Sequence, residues 1–373
     1  MSEQIPLARP ELGEREEALV LEAIRSGRLS IGPLTERFER DFAAWIGVEE
    51  AVAVSSGTAA LHLGVRAVGW GSGDAVLTSP LSFVASANCL LYEGAEPRFC
   101  DIDPVTLNID PEAAAAAIDG AAGLLPVHIF GYPADTLALE ALAGGRGIPI
   151  LEDACQAIGA IHADGRYVGS RGNPTAFAFY ANKQLTTAEG GMLVTAAGAA
   201  AQAARSERNQ GRSPSMEVME HVRLGFNYRI NELEAALGVA QLERIDDTLV
   251  RRAAVAAAYQ QRLAEVEGLT LPCPDRGGER RSWFVYVVQL PEDADREAVI
   301  AGLAAAGIAA KPYLPCIHLQ PYYRERFGFR GGEFPVAESV AARSLALPFF
   351  TAMTGSEVDR VCEALRAQLG VAP

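Results

Sequence analysis

The sequence lacks an excess of positive charge. Lysine and arginine together number 32, against 47 aspartates and glutamates, which gives a formal net charge of -15 at pH 7. Non-specific binding of nucleic acid relies on a diffuse positive field that attracts the phosphate backbone. The charge balance therefore predicts that nucleic acid is not a partner. It leaves room for small anions, which a few local cations and backbone amides can bind.

Long apolar runs and paired cysteines are also missing. No uninterrupted apolar stretch is long enough to span a membrane, and the amino terminus lacks the charged-then-apolar order of a secretory signal. The six cysteines are scattered without a C-x-x-C pair, as expected for reduced, small apolar side chains. His62 and His128 have no second ligand at metal spacing. We therefore expect a cytoplasmic protein without a membrane partner or a metal site.

The first half of the 373-residue chain alternates short β-branched runs with helical patterns. Such alternation is typical of parallel β-α units. Leu34, Phe38, Phe42 and Ile46 recur every four residues and predict an early helix. Candidate strands cover residues 51–54, 75–78, 98–101, 124–129, 148–151, 176–180 and 192–195. The pattern predicts an α/β fold with a mostly parallel central sheet.

The pattern of predicted helices and strands changes in the last third of the sequence. Asn231, with Glu234 three residues later, forms a variant of the capping box and predicts one long helix that ends near Leu263. The later elements are a strand and two helices, over residues 283–290, 296–306 and 356–369. We therefore predict a large domain over residues 1–245 and a smaller α+β domain over residues 246–373.

The segment SSGTAAL, residues 55–61, follows the strand AVAV and opens a helix. Its Gly57-Thr58 turn offers free backbone N–H groups, a hydroxyl and the positive end of a helix dipole, which together suit a phosphate. A capped helix that binds nothing would have the same sequence. Taken alone, this segment leaves both interpretations open.

The segment LEDACQ places Asp153 at the end of a buried strand. Ligands of open α/β sheets bind outside the carboxyl ends of the strands. A carboxylate there can pair with a protonated ring nitrogen, and Gln156, three residues later, can face the same ligand. Asp153 could equally cap the next helix, so this segment is also undecided by itself.

Lys183 lies between two apolar strands, in the segment FAFYANKQLTTAEGG. Lysines are usually solvated surface residues. In a partly desolvated site, however, the pKa of a lysine falls and its free amine can form a Schiff base. The three segments follow the order phosphate turn, carboxylate, lysine. Together they supply what pyridoxal 5'-phosphate (PLP) requires, namely a phosphate cradle, a partner for the ring nitrogen and a lysine for the aldehyde.

Several long motifs extend this pattern over nearly the whole chain. They include SSGTAALHLG, LSFVASANCLLYEGAEPRFCDID, PVHIFGYPAD, LEDACQAIGA, NYRINELEAALGVAQL and PCIHLQPYY. In this order they resemble the DegT-type sugar-nucleotide aminotransferases, which have the type I fold of PLP-dependent enzymes. The resemblance implies a three-layer fold, a smaller α+β C-terminal domain and a homodimer with shared active sites.

The resemblance also implies a role for each matching residue. Lys183 is the catalytic lysine that binds the cofactor aldehyde, and Asp153 is the catalytic carboxylate that faces the pyridine nitrogen. Gln156 matches the amide near the ring hydroxyl, and Phe83 matches the aromatic residue stacked on the ring. Gly57, Thr58 and Ala59 match the phosphate-binding turn, and Asn227 matches a residue that reaches the cofactor of the neighbouring subunit. The residues expected to meet the substrates are Arg229, Tyr313 and His318.

One position departs from the family pattern. The family commonly has a serine five positions before the lysine, where its hydroxyl meets the cofactor phosphate, whereas this chain has Ala178. Losing one hydrogen bond to a charged group costs roughly 1.5–3 kcal/mol unless another donor replaces it. The departure concerns the affinity for the cofactor and leaves the chemistry unchanged.

The family resemblance implies an amino transfer through pyridoxamine 5'-phosphate from an amino acid, which we expect to be L-glutamate. The acceptor is a keto sugar linked to a nucleotide. The segment LSFVASANCLLYEGAEP is more similar to the branch of the family that makes 4-amino sugars. We therefore predict a 4-keto-6-deoxy sugar as acceptor and a 4-amino sugar nucleotide, for glycan or polysaccharide biosynthesis, as product.

Four alternatives remain at this point. The first is a 3-keto sugar aminotransferase of the same family. The second is a PLP-dependent sugar dehydratase, whose relatives carry histidine where this chain has Lys183. The third is a regulatory protein that kept the fold without the chemistry. The fourth is a nicotinamide oxidoreductase. The first strand-helix turn argues against this class, because its sequence is SSGTAA and not G-x-G-x-x-G.

Overall fold

The computed structural model describes residues 4–213 and 220–371. Its strands are β1 (Glu50–Val54), β2 (Ala75–Thr78), β3 (Glu96–Phe99), β4 (Gly123–Leu125), β5 (Glu152–Asp153), β6 (Thr175–Ala178), β7 (Gly191–Thr195), β8 (Tyr286–Gln289), β9 (Lys311–Pro312) and β10 (Ser344–Leu347). Its α-helices are α1 (Glu14–Ser26), α2 (Pro33–Ile46), α3 (Gly57–Val68), α4 (Ala85–Tyr92), α5 (Pro111–Ala117), α6 (Thr136–Gly144), α7 (Gly198–Glu207), α8 (Glu232–Leu242), α9 (Ile245–Leu263), α10 (Arg296–Ala305), α11 (Pro321–Phe327), α12 (Pro335–Arg343) and α13 (Gly355–Gln368). None of these helices is both long enough and apolar enough to cross a lipid bilayer.

The central sheet combines the first seven strands. Four of them pair in the order β1-β7-β6-β5, and three pair in parallel in the order β3-β2-β4. Parallel bridges between Leu124 and Ile150 and between Val127 and Asp153 join the two groups. Only β7 runs antiparallel to its neighbours. The prediction of a mostly parallel sheet in an α/β fold is confirmed, and the predicted strand over 148–151 contributes only the bridge at Ile150 before β5.

Helices cover both faces of this sheet because successive side chains of a strand point to opposite faces. On β6, Phe177 packs in one core with Phe42 of α2. Its neighbour Ala176 packs in a second core with Leu61 of α3. The strands are therefore buried on both sides, and the predicted three-layer arrangement is confirmed.

The C-terminal part of the chain has its own antiparallel sheet, in the order β8-β10-β9. A separate hydrophobic core joins this sheet to α9, α10 and α13. Ile5 from the amino terminus also belongs to this core, and its backbone N–H donates to the carbonyl of Gly307. A division of the chain at residue 245 remains a prediction.

The single long helix predicted from Asn231 to Leu263 is wrong, because the chain breaks between α8 and α9. Arg244 has φ -125° and ψ 14°, outside the helical region. Its guanidinium donates to Glu16 Oε1 at 2.9 Å and to the carbonyl of Glu11. These partners lie more than 200 positions earlier in the chain, so the break follows from a tertiary contact that the helical pattern does not carry.

Candidate active site

A cavity of about 500 Å³ opens at the carboxyl ends of β1, β5 and β6. This is the edge at which open α/β sheets bind their ligands, and the volume lies in the range of small-molecule sites. The lining brings together all three segments singled out in the sequence, through Gly57, Thr58, Asp153, Gln156 and Lys183.

The first wall of the cavity is the amino end of α3. Ser56 is the N-cap, and its side chain accepts a hydrogen bond from the N–H of Ala59 at 3.1 Å. Within residues 4–213 and 220–371, no hydrogen bond uses the N–H of Gly57 or Thr58. A side chain at Gly57 would place its Cβ 2.5 Å from the Cβ of Ala178, so only glycine fits. The two free N–H groups and the helix dipole form a cradle for an anion.

The second wall carries the Asp153 carboxylate, which is buried. Its Oδ1 accepts from the N–H of Cys155 at 3.0 Å, and its Oδ2 accepts from the hydroxyl of Ser86 at 2.6 Å. The Ser86 hydroxyl in turn lies 2.7 Å from that of Ser82. Buried charges are stable only when hydrogen-bonded or paired, so this chain of hydroxyls fixes the carboxylate in one orientation.

The third wall carries Lys183, which keeps access to solvent only in part. Burial lowers the pKa of its amine from 10.5 to about 8, while the charges of Cys155 and Asp153 act in the opposite direction. The Nζ atom lies 3.9 Å from the centre of the Phe284 ring, a cation–π distance. Near neutral pH, a useful fraction of this amine is therefore free to act as a nucleophile or a base.

Gln156 and Phe83 complete the predicted set around the cavity. The side-chain oxygen of Gln156 accepts from the N–H of Phe130 at 3.0 Å, which leaves its NH₂ group to face a ligand. Phe83 is 59% exposed and lines both this cavity and a neighbouring one of about 790 Å³. An exposed aromatic ring at the mouth of a site provides a flat apolar surface for stacking.

Asn227 and Arg229 do not line the cavity of their own chain. The Asn227 side chain is exposed, and its backbone pairs with that of Asn209. Arg229 donates to the side-chain oxygen of Asn209 at 3.1 Å. Their predicted contacts with the cofactor and a substrate therefore require a second chain, and they remain predictions.

The two residues predicted to meet the sugar nucleotide lie in different surroundings. Tyr313 lines the cavity, 5.7 Å from Phe130 between ring centres. His318 is fully buried, and its Nε2 lies 3.1 Å from the carboxylate of Glu338. Glu333 completes a group whose possible metal-ligand atoms lie within 4.8 Å. Glu338 also accepts hydrogen bonds from the N–H groups of Gly332 and Phe334. These bonds explain the position of its carboxylate without a metal ion.

The model of the DegT/DnrJ/EryC1/StrS aminotransferase family matches residues 10–366. The chain belongs to this family. It is 38% identical to the spore coat polysaccharide biosynthesis protein SpsC of Bacillus subtilis (strain 168), over 97% of this chain and 96% of that protein. DegT/DnrJ/EryC1/StrS proteins are aminotransferases, so the chain is an enzyme of this class.

Solved structures of family members have the same type I fold. DesV of S. venezuelae, solved with a ketimine intermediate, superposes with a TM-score of 0.94 at 33% identity and full coverage of both chains. TlmJ of Streptoalloteichus hindustanus superposes with a TM-score of 0.92 at 34% identity, over 98% of this chain and 99% of that one. The PseC aminotransferase of Helicobacter pylori, involved in the biosynthesis of pseudoaminic acid, gives 0.93 at 25% identity, over 99% and 100%.

Several lining residues of this family member were not among the sequence predictions. They are Cys155, Tyr180, Asn182, Glu189, Phe284 and Lys311. Burial raises the pKa of the Cys155 thiol well above its usual value, so the thiol stays neutral. The Oδ1 atom of Asn182 is buried without a partner in the described part of the chain and is available to a ligand. Phe284 and Lys311 come from the C-terminal part of the chain, which no local motif connects to Lys183.

Proposed function

We propose that this family member transfers an amino group from L-glutamate to a nucleotide-linked 4-keto-6-deoxy sugar, with PLP as cofactor. The product is a 4-amino sugar nucleotide for glycan or polysaccharide biosynthesis. The observation that carries the proposal is the cavity itself, in which an anion cradle, a fixed buried carboxylate and a lysine with a pKa of about 8 converge.

The lining fits PLP group by group. Free N–H groups suit the phosphate, a carboxylate suits a protonated ring nitrogen, an amide suits the ring hydroxyl, an exposed aromatic suits the ring face, and a primary amine suits the aldehyde. The residues are, in that order, Gly57 and Thr58, then Asp153, Gln156, Phe83 and Lys183. Ala59, also predicted for the phosphate turn, does not line the cavity, and its N–H donates to the Ser56 side chain. The orphaned Oδ1 of Asn182 is a further polar atom that a ligand would satisfy.

When bound, PLP supplies an aromatic ring that accepts the electron pair left by breaking a C–H bond next to the amino group. Lys183 holds and moves the proton at its Nζ, and a pKa near 8 makes the amine both a base and an acid at physiological pH. Asp153, oriented by Ser86, keeps a positive charge on the group that it faces. The Phe284 ring covers one side of the amine, 3.9 Å from its Nζ.

The neighbouring cavity supports a substrate larger than an amino acid. It shares Phe83 and Leu314 with the cofactor cavity, so a long ligand can occupy both. Its lining includes Tyr92, Tyr322 and Arg326. Aromatic rings and a guanidinium suit a nucleobase and a diphosphate. The name of SpsC, a polysaccharide biosynthesis protein, supports the same class of product.

The site requires a second chain for the roles proposed for Asn227 and Arg229. We propose a cytoplasmic homodimer in which Asn227 of one chain reaches the cofactor phosphate bound by its partner, and Arg229 meets the donor carboxylate. Support comes from the position of both residues outside the cavity of their own chain, where Asn227 is exposed and Arg229 is half-buried. Exposed apolar side chains nearby, Val222 at 51% and Leu224 at 73%, suit a surface covered in a dimer.

The test is to incubate the protein with PLP, L-glutamate and UDP-, dTDP- and GDP-linked 4-keto and 3-keto 6-deoxy sugars. We expect amination of a 4-keto sugar, with the carbon position read by NMR of the product. Amination at carbon 3 would support the closest alternative. Loss of a hydroxyl without amination would indicate a dehydratase, and absence of any glutamate-driven change in the cofactor's absorbance would indicate a regulatory protein.

A further inference from the structure

The chain has only two lysines, Lys183 and Lys311, against 30 arginines. Both residue types are cations at neutral pH, so a position that needs only a positive charge accepts either. This chain has arginine at every other basic position. Nineteen of the 373 residues line the cofactor cavity, and both lysines are among them. The amine side chain is therefore confined to one site of the molecule.

Lys311 reaches this cavity from the C-terminal part of the chain. It lies on β9, where its backbone pairs with Ala346 of β10. Tyr313, two residues later, lines the same cavity. The Lys311 side chain is exposed, and its ammonium has no hydrogen-bond or ion-pair partner in residues 4–213 and 220–371. By contrast, Arg66 and Arg171 each contact two carboxylates.

The charges that line the cavity leave one cation unassigned. Lys183 and Asp153 are taken by the cofactor in the proposed function, and Glu189 is negative. Arg229 lies outside the cavity of its own chain. An amino-acid donor carries a carboxylate and a nucleotide sugar carries a diphosphate. Both substrates therefore bring an oxyanion to a site where Lys311 is a lining cation without a partner in the described part of its own chain.

We propose that Lys311 binds the oxyanion of the substrates, namely the donor carboxylate together with the partner's Arg229 in the first half-reaction and the diphosphate together with Arg326 in the second. The inference rests on the proposed function. An ammonium is a compact point charge with three rotatable donors on a flexible stem, whereas a guanidinium is a planar fork suited to one fixed bidentate geometry. A site that receives two different oxyanions in turn therefore favours lysine over arginine.

The experiment compares the PLP-loaded wild type with Lys311→Gln and Lys311→Arg. One arm titrates L-glutamate in single turnovers and follows loss of the cofactor's visible absorbance. The other arm measures binding of UDP, dTDP and GDP by calorimetry. We expect Lys311→Gln to weaken the binding of both L-glutamate and the nucleoside diphosphate by about tenfold or more, as expected for a lost charge-assisted hydrogen bond. The limiting rate at saturation should change far less. Lys311→Arg should recover only part of the loss.

The matched control is Arg40→Gln, which removes one positive charge from a side chain that is 68% exposed and lies outside both cavities. Its binding should equal that of the wild type. Unchanged binding of either probe by Lys311→Gln would overturn the inference, as would full recovery by Lys311→Arg. A wild type that responds to neither probe would instead refute the proposed function and the inference with it.

Discussion

The lowered pKa of the Lys183 amine affects the free energy of unfolding as well as the proposed chemistry. Its pKa of about 8 lies below the value of 10.5 for an unburied lysine because burial disfavours the charged form. Between these two values the unfolded chain binds more protons than the folded one. The free energy of unfolding of the cofactor-free protein therefore rises with pH across this window, by at most about 3 kcal/mol.

Replacing Lys183 with methionine should remove this dependence. We expect the cofactor-free Lys183→Met protein to be more stable than the cofactor-free wild type at pH 7, by about 1–3 kcal/mol, because no charge has to be buried. The difference should shrink as the pH approaches 10.5. Urea unfolding at several pH values measures it, and a difference that does not change with pH would contradict the assigned cause.

Ala178 offers a second prediction at the same scale. It lines the cavity beside Gly57, at the position where the family resemblance implies a serine hydroxyl. Ala178→Ser should add one hydrogen-bond donor to the phosphate cradle and tighten the binding of PLP about tenfold. This is the lower end of the affinity gain expected from one hydrogen bond to a charged group. Titration of the cofactor-free protein with PLP checks this. Ala181→Ser, a hydroxyl outside the cavity, is the control, and equal affinities for both variants and the wild type would show that the cradle is already complete.

Local motifs predicted the residues whose neighbours in sequence are also their neighbours in space. Asp153 ends β5, while Gly57 and Lys183 follow β1 and β6 of the same sheet, so the strand order brings them together. Ser86 lies only three positions after Phe83 in the motif LSFVAS, and its position on the first turn of α4 was a usable signal. Lys311 enters the cavity through contacts between distant segments, which no spacing in the sequence encodes.

Helix boundaries show the same limit at the scale of elements. The capping box of Asn231 and Glu234 is present as predicted, with the Asn231 side chain accepting from the N–H of Glu234 at 2.9 Å. The end of α8 is set by Arg244, whose guanidinium donates to Glu16 of α1. A start signal is therefore local and readable from the sequence, whereas a stop imposed by a distant ion pair is not.

Glu232, in the first turn of α8, also caps a different helix. Its buried carboxylate accepts from the N–H groups of Gly32, Leu34 and Thr35 at 2.9–3.0 Å and from the Thr35 hydroxyl at 2.5 Å. Gly32 is the N-cap of α2 and has no side chain of its own to do so. One carboxylate therefore satisfies the free donors of α2 and ties that helix to α8.

Glu232→Ala should lower the free energy of unfolding by about 3 kcal/mol or more, because it leaves several buried donors without an acceptor. Glu232→Gln keeps one acceptor oxygen and should lose less. Urea unfolding of both variants gives the comparison. A loss below about 0.5 kcal/mol for Glu232→Ala would place it among ordinary surface substitutions and refute the capping role.

At the scale of the whole molecule, the predicted α/β architecture and the family are confirmed, while the shared site of a dimer is a proposal that can be tested by mixing chains. A Lys183→Ala chain lacks the amine, and a chain with Asn227→Ala and Arg229→Ala lacks the groups proposed to act on the partner's site. Each homodimer should have little activity. A hybrid dimer contains one site with both defects and one intact site.

Refolding or co-expressing equal amounts of the two variants should restore about a quarter of the wild-type activity, because half of the dimers are hybrids with one intact site of two. The measurement is the transamination rate of the mixture against each variant alone. Activity no higher than the mean of the two homodimers would mean that Asn227 and Arg229 act on their own chain or not at all.

The central claim is that the amine at position 183 bonds covalently to PLP. The most direct measurement is borohydride reduction of the PLP-loaded protein, followed by trypsin digestion and mass spectrometry. Because the chain has only two lysines, the result separates cleanly into two peptides, residues 172–205 and residues 297–324. We predict the added mass of the reduced cofactor on the first. Labelling of the second, or of neither, would contradict the account.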